Sequence, residues 1–404
     1  MNERILAINP GSTSTKIAVY EGEKQLFAVF LAHTHEELSR FSTVLDQEEW
    51  RRALVLGALA EAGIDMGSID AVIGRGGIIC PVESGIYGVN DNLVHDLRHA
   101  KVQHASNLGG LIAHDIAQRV GIPAYIADPV VVDEMMPYAR ISGSPELPRE
   151  SIFHALNQKA VARLFAKETG KEYSDLNLIV CHMGGGITVS AHRHGKVIDT
   201  TNGLDGCGPF SAERSGSLPP GPLIHLCFSG KYTEAELMKL VHGKGGLMAH
   251  LGTTSVPEAL ERIDRGDLHA MLIIRAMCYT VAKEIGAMST TMKGDVDAIL
   301  LTGGMAHSKR LTDFIADHVS YIAPIYVYPG ENELKALAEN ALKALRGECE
   351  IHEYLSTPAE NPADINDTST SSKLRDWLRS VLSPNSETGL TAIRKYLRQW
   401  GNKK

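Results

Sequence analysis

Two apolar runs open the chain, "RILAI" and "KIAVY", and the polar stretch "NPGSTST" (residues 9–15) separates them. A second turn at Gly22 leads into a third run, "KQLFAVF", so the pattern predicts three consecutive strands. Residues 178–201, "LIVCHMGGGITVSAHRHGKVIDTT", follow the same order of strand, glycine-rich turn, strand, glycine turn and strand. Asn9 lies 13 residues before Gly22, and His182 lies 13 before Gly195. One supersecondary unit used twice, about 173 residues apart, accounts for this spacing. Apolar runs ending in paired glycines follow in both halves, "IDAVIGRGG" (69–77) and "DAILLTGGMA" (297–306). Helical patterns fall near 46–62 and 91–120 in the first half, with a short strand at 123–128. In the second they fall at 267–291, 307–318 and 331–346, with a strand at "PIYVYP". Strands alternating with helices predict α/β domains whose mixed or parallel sheets are covered on both faces. The expected division is a first domain over 1–150, completed by the helix at about 331–350, and a second over 151–330. A cleft between them would carry both glycine loops at its mouth.

Such loops suit phosphate, because small residues let backbone N–H groups approach and point at an anion. The first offers Gly11, the hydroxyls of Ser12, Thr13, Ser14 and Thr15, and Lys16; the second offers Gly184, Gly185 and Gly186. Gly303 and Gly304 end another strand. Neither loop is a Walker or GxGxxG sequence, so the common mononucleotide and dinucleotide folds are not indicated. A polar hairpin turn is the plain alternative for either loop taken alone. Two at repeat-related positions point to a nucleotide lying between two domains.

Composition narrows the setting. With 404 residues and 44% apolar positions the chain can bury more than one core, and a net charge of −8 speaks against general nucleic-acid binding. The six cysteines are scattered with no CxxC pair, the pattern of reduced thiols rather than of a zinc site or a disulfide frame. No apolar stretch approaches the roughly 18 residues of a membrane span, and Met1 runs almost directly into a strand at Arg4. The expectation is a cytoplasmic chain without a leader.

Several stretches carry a resemblance. "NPGSTSTK", "GRGG" (74–77), "HASNLG" (104–109), "SIFHALNQKAVAR" (151–163), "HMGGG" (182–186), "LDGCGPFSAERSGSLP" (204–219), "GKGGLMAHLGT" (243–253) and "LTGGMA" (301–306) occur in order. Over residues 1 to about 355 the chain resembles the acetate kinase family, on its butyrate kinase branch. Arg75-Gly76-Gly77 and Phe153-His154-Ala155-Leu156-Asn157 favour that branch. The resemblance implies the duplicated, ribonuclease H-like fold that the family shares with sugar kinases, Hsp70 and actin, with an interdomain cleft. It implies reversible transfer of the γ-phosphoryl of ATP to a short-chain carboxylate, giving an acyl phosphate and ADP, with Mg2+ accompanying the nucleotide. Arg75 and Arg214 match the family's active-site arginines, for the acyl carboxylate and the phosphoryl oxygens. His182 and His154 match its active-site histidines, Asp128 falls near the metal or the attacking carboxylate, and His104 supports the acid pocket. Asn9 matches a position near the metal; the acidic contact falls in "PGENEL", with Glu331 preferred and Asn332 or Glu333 open. A homo-oligomer is expected. Cys207 departs from the family pattern, which has an acid there: a tolerated loop change, or altered handling of nucleotide or metal.

An acetate- or propionate-type kinase is the alternative within the class. Outside it stands a non-catalytic nucleotide-dependent binding protein on the same fold, which would need neither Arg75 nor Arg214. The family does not account for the end of the chain. Residues 356–372 read as a linker rich in Ser, Thr, Pro, Asn and Asp. Residues 373–404 read as two basic amphipathic helices, to dock on the chain's own body, a sister subunit, a partner protein or anionic lipid.

Overall fold

The computed structural model describes residues 3–100 and 102–356. Apart from Ser356, the expected linker and basic tail lie outside the described residues. What is described falls into two units: Pro137–Arg149, and the chain on either side of it. The short unit is an irregular segment with a turn at Pro137–Arg140, where Arg149 returns a backbone bond to Arg140 (2.8 Å) and a guanidinium bond to the Ala139 carbonyl (2.6 Å). Everything below concerns the large unit.

Twelve strands are described: β1 (Arg4–Gly11), β2 (Ser14–Glu21), β3 (Lys24–Ala32), β4 (Ala71–Arg75), β5 (Ile86–Gly88), β6 (Ala124–Ala127), β7 (Asn177–Met183), β8 (Ile187–Arg193), β9 (Lys196–Thr200), β10 (Ala298–Gly303), β11 (Ile325–Pro329) and β12 (Ile351–His352). They form two sheets, β3-β2-β1-β4-β6-β5-β12 and β9-β8-β7-β10-β11. The first five strands of one match the five of the other in order and sense. β1, β4 and β6 run parallel, as do β7, β10 and β11, and each set is flanked by an antiparallel meander. Even the irregularities recur: the second hairpin of each meander slips register, at Val19/Tyr20 and at Ala191/His192, close to its turn glycine. Gly22 (φ 56°) and Gly195 (φ 80°) take left-handed backbone there, which glycine adopts without a Cβ clash. The duplication read from the sequence is therefore a duplication of topology.

Strand burial follows from position. β1 and β7 are central and read as near-continuous apolar runs, because both of their faces are covered. Leu6, Ile8, Ile17 and Val19 meet helices Glu48–Glu61 and Asn107–Val120, while Ile5, Ala7 and Ala18 meet helix Glu333–Leu345 through Leu337 and Ala341. In the second sheet Ile179 and Cys181 face helix Leu268–Thr291, and Leu178 and Val180 face helix Ala155–Thr169. The expected helix over 91–120 is two, Asp91–His99 and Asn107–Val120. The segment between them turns back on itself, with the Ser106 N–H donating to His104 Nδ1 (3.2 Å). That break lets the second helix start under the end of β4. No helix among the described residues is long and apolar enough to cross a membrane.

The fit of that helix to the sheet depends on two glycines. A Cβ on Gly74 would lie 2.0 Å from the Gly109 carbonyl oxygen, and one on Gly109 would lie 2.3 Å from the Arg75 carbonyl oxygen. Real Cβ atoms do not approach backbone so closely, so helix and strand would have to part. Gly109→Ala should cost about 3 kcal/mol of stability in urea unfolding, at the upper end for overpacking. A loss below about 0.5 kcal/mol, the usual effect of a neutral surface change, would show the contact to be looser than this.

Candidate active site

The parallel strands of both sheets end on one group of side chains, the place where open α/β sheets bind ligands. β1 delivers Asn9, β4 ends at Arg75, β7 delivers His182, and Gly303 closes β10. Asn9 and His182, the repeat-related pair, sit opposite Lys16 and Thr188 across their hairpins. Glu333, buried in the first turn of its helix, joins the first sheet's contribution. Its Oε2 accepts from Asn9 Nδ2 (2.5 Å) and from Arg75 Nη1 (3.1 Å), which also reaches Asn9 Oδ1 (3.4 Å). The helix N-terminus favours a carboxylate at this point.

Glu331 sits two residues earlier, brought in by Gly330, which pairs with Gly303 through two backbone hydrogen bonds. Its carboxylate spans the two sheets, 3.5 Å from Lys16 Nζ and 3.5 Å from His182 Nε2. Both acids left open by the sequence thus stand in the cluster, Glu333 tightly bonded and Glu331 loosely.

A small cavity of about 50 Å³ lies alongside, lined by Arg75, His104, His154 and Arg214 with apolar walls from Ile78, Val130, Ile152 and Phe153. His154 stacks on His182, ring centroids 3.8 Å apart and planes within 11°. The partners of the two rings assign opposite protonation patterns. Gln158 Nε2 donates to the Thr188 carbonyl (3.2 Å) and to Thr188 Oγ1 (2.8 Å), and the His154 backbone N–H also approaches that oxygen (3.5 Å). The hydroxyl proton is left with one acceptor, His154 Nδ1 at 2.9 Å, so the neutral His154 ring carries its proton on Nε2. His182 donates instead from Nδ1, to Asn157 Oδ1 (2.8 Å), and its buried Nε2 has no hydrogen bond.

Arg214 donates to the Gly203 carbonyl and lies against the second glycine loop. A Cβ on Gly186 would fall 2.3 Å from its Nη1, so that loop is bare partly to admit the guanidinium. Gly184 N–H closes the loop onto Gly186 O (2.9 Å), and Ser211 Oγ bonds the Gly185 carbonyl (2.6 Å). Gly303 (φ 90°) packs against Met183 backbone, while Gly304 begins a short turn with open space beside it. In the first loop Ser12 and Thr13 are exposed at the tip, and Gly11 and Ser14 pair at its base.

Asp128 is the expected site residue that does not join the cluster. Its Oδ1 accepts from Ser84 Oγ (2.6 Å) and Gly85 N–H (3.1 Å), and its Oδ2 from Arg163 Nη1 (3.0 Å). With both oxygens engaged, and its backbone in the left-handed region (φ 39°), it fixes the turn after β6 rather than lining the cavity. Cys207 is exposed and also outside that lining. From the sequence no site role falls to Asn157, Gln158 or Thr188. The signal was their spacing: Asn157 and Gln158 lie three and four residues after His154, on the buried face of one helical turn.

Comparison with known proteins agrees with this geometry. The sequence profile of the acetokinase family matches residues 147–327. Butyrate kinase 1 of Clostridium acetobutylicum is 53% identical over 352 residues, 87% of this chain and 99% of that protein. A probable butyrate kinase of Bacteroides thetaiotaomicron is 54% identical over the same length. The chain belongs to the acetokinase family. Among solved structures, acetate kinase of Porphyromonas gingivalis superposes with a TM-score of 0.69 at 18% identity, covering 84% of this chain and 99% of that one. A propionate kinase of Francisella tularensis gives 0.67 at 18%, over 83% and 98%. At that identity they speak for the fold, which acetokinase-family members share with this chain.

The histidines of this acetokinase-family chain carry a pH signature. Burial first, then the charges of Arg75 and Arg214, push His104 down to about 4; burial, then His182 and the same arginines, put His154 well below 6.5. Burial and Arg51 lower His33 to about 4, and burial, then Lys159 and Arg163, put His192 well below 6.5. Folded, these rings are neutral; unfolded, they titrate near 6.5. The unfolded chain therefore binds more protons between pH 6.5 and about 4, and stability falls as pH drops through that window. Thermal scans should give a midpoint that falls steadily below pH 6.5, with His104→Gln flattening part of the slope. A midpoint unchanged down to pH 5 would show that the rings charge freely in the folded state.

Proposed function

We propose that the chain is an ATP-dependent carboxylate kinase of the butyrate kinase type. A carboxylate oxygen attacks the γ-phosphorus of ATP in line. The new O–P bond forms as the bond to the β–γ bridging oxygen breaks, and ADP leaves. The observation that carries the reading is the pair of guanidinium groups, Arg75 and Arg214, on one small apolar-walled cavity that also holds two neutral histidines. A carboxylate needs no proton removed before it attacks at neutral pH. The site is asked only to align two anions and to stabilise charge on the transferring group. Arginine is permanently charged and grips carboxylate or phosphate oxygens in pairs, and His154 Nε2–H adds a neutral donor. The cavity's small size and apolar walls favour a short aliphatic acid, and the names of the relatives favour butyrate among these.

In this reading Asn9, the loop from Gly11 to Lys16, Gly184–Gly186 and Gly303–Gly304 take the nucleotide phosphates. Each sheet would then be the core of one domain, 1–150 completed by the helix at about 331–350, and 151–330. Magnesium bound with ATP would neutralise phosphate charge. Among the described residues no three His, Cys, Asp or Glu side chains cluster as a metal site, but magnesium with a nucleotide needs only one or two carboxylates. Glu331 fits that need, since its oxygens meet Lys16 and His182 only at 3.5 Å, whereas Glu333 is already bonded to Asn9 and Arg75. The six free cysteines suit a reducing cytoplasm. The exposed Leu268, Leu272 and Tyr279 along one helix suit a homo-oligomer contact.

Trapping acyl phosphate with hydroxylamine across C2 to C6 acids tests activity and chain length together. Product is expected with butyrate or a branched relative; product only with acetate or propionate would move the chain to those kinases. Arg75→Ala and Arg214→Ala should each lower kcat about 10²- to 10³-fold, with ADP binding much less affected. Near-full kcat in either variant would remove that arginine from the reaction.

A further inference from the structure

Arg51, on helix Glu48–Glu61, is 1% exposed and its guanidinium meets no carboxylate among the described residues. Burial lowers its pKa to about 10, which leaves it cationic at neutral pH. A buried cation without a counter-ion is costly, and neutral acceptors must supply all its bonds. Gln47 Oε1 takes Nε (3.0 Å) and Nη2 (2.8 Å), fixing the plane of the group. The remaining donors go into the β1–β2 turn: Nη1 to the carbonyls of Gly11 (2.8 Å) and Ser14 (3.0 Å) and to Thr15 Oγ1 (3.1 Å), and Nη2 to the Ser12 carbonyl (3.3 Å). The Thr13 carbonyl accepts from the His33 N–H (2.9 Å), so all four carbonyls from Gly11 to Ser14 are occupied by donors from the protein.

A trans peptide points its N–H opposite to its C=O. Drawing the Gly11 and Ser12 carbonyls onto Arg51 therefore turns the N–H groups of Ser12 and Thr13 away from it. Those two residues are exposed, and neither N–H donates a backbone hydrogen bond among the described residues. Two free donors, turned away from a buried positive charge beneath them, make an anion cradle that is held before any ligand arrives.

We infer that Arg51 is the positioning residue of the nucleotide-phosphate loop, holding its carbonyls inward so that the Ser12 and Thr13 N–H groups are presented to a phosphate. The inference rests on the kinase reading for the identity of the ligand, and on the loop's own bonds for the device. Arg51 touches no substrate; it acts through the turn. Lysine at this position has no fork to reach three carbonyls and Gln47 at once.

Calorimetry with ADP on the full chain, for wild type, Arg51→Lys and Arg51→Met, tests this. ADP binding should weaken about 10- to 100-fold in Arg51→Met, as for loss of charge-assisted hydrogen bonds, with Arg51→Lys intermediate. KM for ATP should rise in step, while KM for the acid stays within about twofold, which a general loss of structure would not produce. In the wild-type protein, labelled at serine and threonine, the Ser12 and Thr13 amide resonances should move on saturation with ADP. Wild-type affinity in Arg51→Met, or saturation with ADP that leaves both amides unmoved, overturns the inference. If Arg51→Met does not fold, the wild-type amide measurement decides alone. Amides that respond to ADP in a protein making no acyl phosphate would uphold the device and refute the kinase reading.

Discussion

One buried carboxylate ties the site together. Glu333 accepts from Asn9, 324 residues away in sequence, and from Arg75, 258 residues away. These bonds join the ends of two adjacent parallel strands to the first turn of a helix that arrives at the far end of the described chain. The Arg75 guanidinium is mostly buried, and a buried charge is tolerable only where a partner compensates it. Glu333 compensates it, and at the same time sets the direction of Arg75 toward the cavity. The same stretch of chain then places Glu331 between Lys16 and His182, so that each sheet's loop faces a shared anionic group.

The two hairpin loops show how one topology was made to serve twice by different chemistry. In both, loop carbonyls are satisfied from within the protein. In the first repeat a cation beneath the turn does this, with Arg51 reaching the carbonyls of Gly11, Ser12 and Ser14. In the second the loop is all glycine, one carbonyl is held by the Ser211 hydroxyl, and Arg214 occupies the space that side chains would have filled. Positive charge thus lies beneath one loop and against the other, a suitable setting for a polyanion spanning both.

Between the arginines, the histidines act as neutral fittings. Burial first makes a further positive charge unfavourable at His104 and His154, and the two guanidinium groups close by work in the same direction. A neutral ring presents one donor and one acceptor, and which nitrogen carries the proton matters. Thr188 and Gln158 settle this for His154, and Asn157 orients His182. The stacked pair is held by hydrogen bonds from within the second sheet and its helix, which fixes its geometry before substrate arrives.

The chain's local patterns were enough to reveal the repeat. Apolar runs, turn glycines at equal spacing and paired glycines after apolar strands are properties of neighbouring residues, and the two meanders follow from them; the matching register slips are seen only in the structure. Arg75 was marked by the family resemblance instead. Other assignments depended on what met what across the fold. Asp128 follows a strand in the way an active-site acid would, yet Ser84, Gly85 and Arg163 claim both its oxygens. Glu331 and Glu333 are two residues apart and alike in sequence; only the positions of Lys16, His182, Asn9 and Arg75 make one loose and the other locked. Arg51 reads as an ordinary polar position on a surface helix, because nothing within several residues betrays that it will be buried against a turn 40 positions earlier. Periodicity records which face of an element is covered, but not by what. A buried polar group's role is set by the partner that satisfies it, and here those partners are brought together only when the sheets are formed.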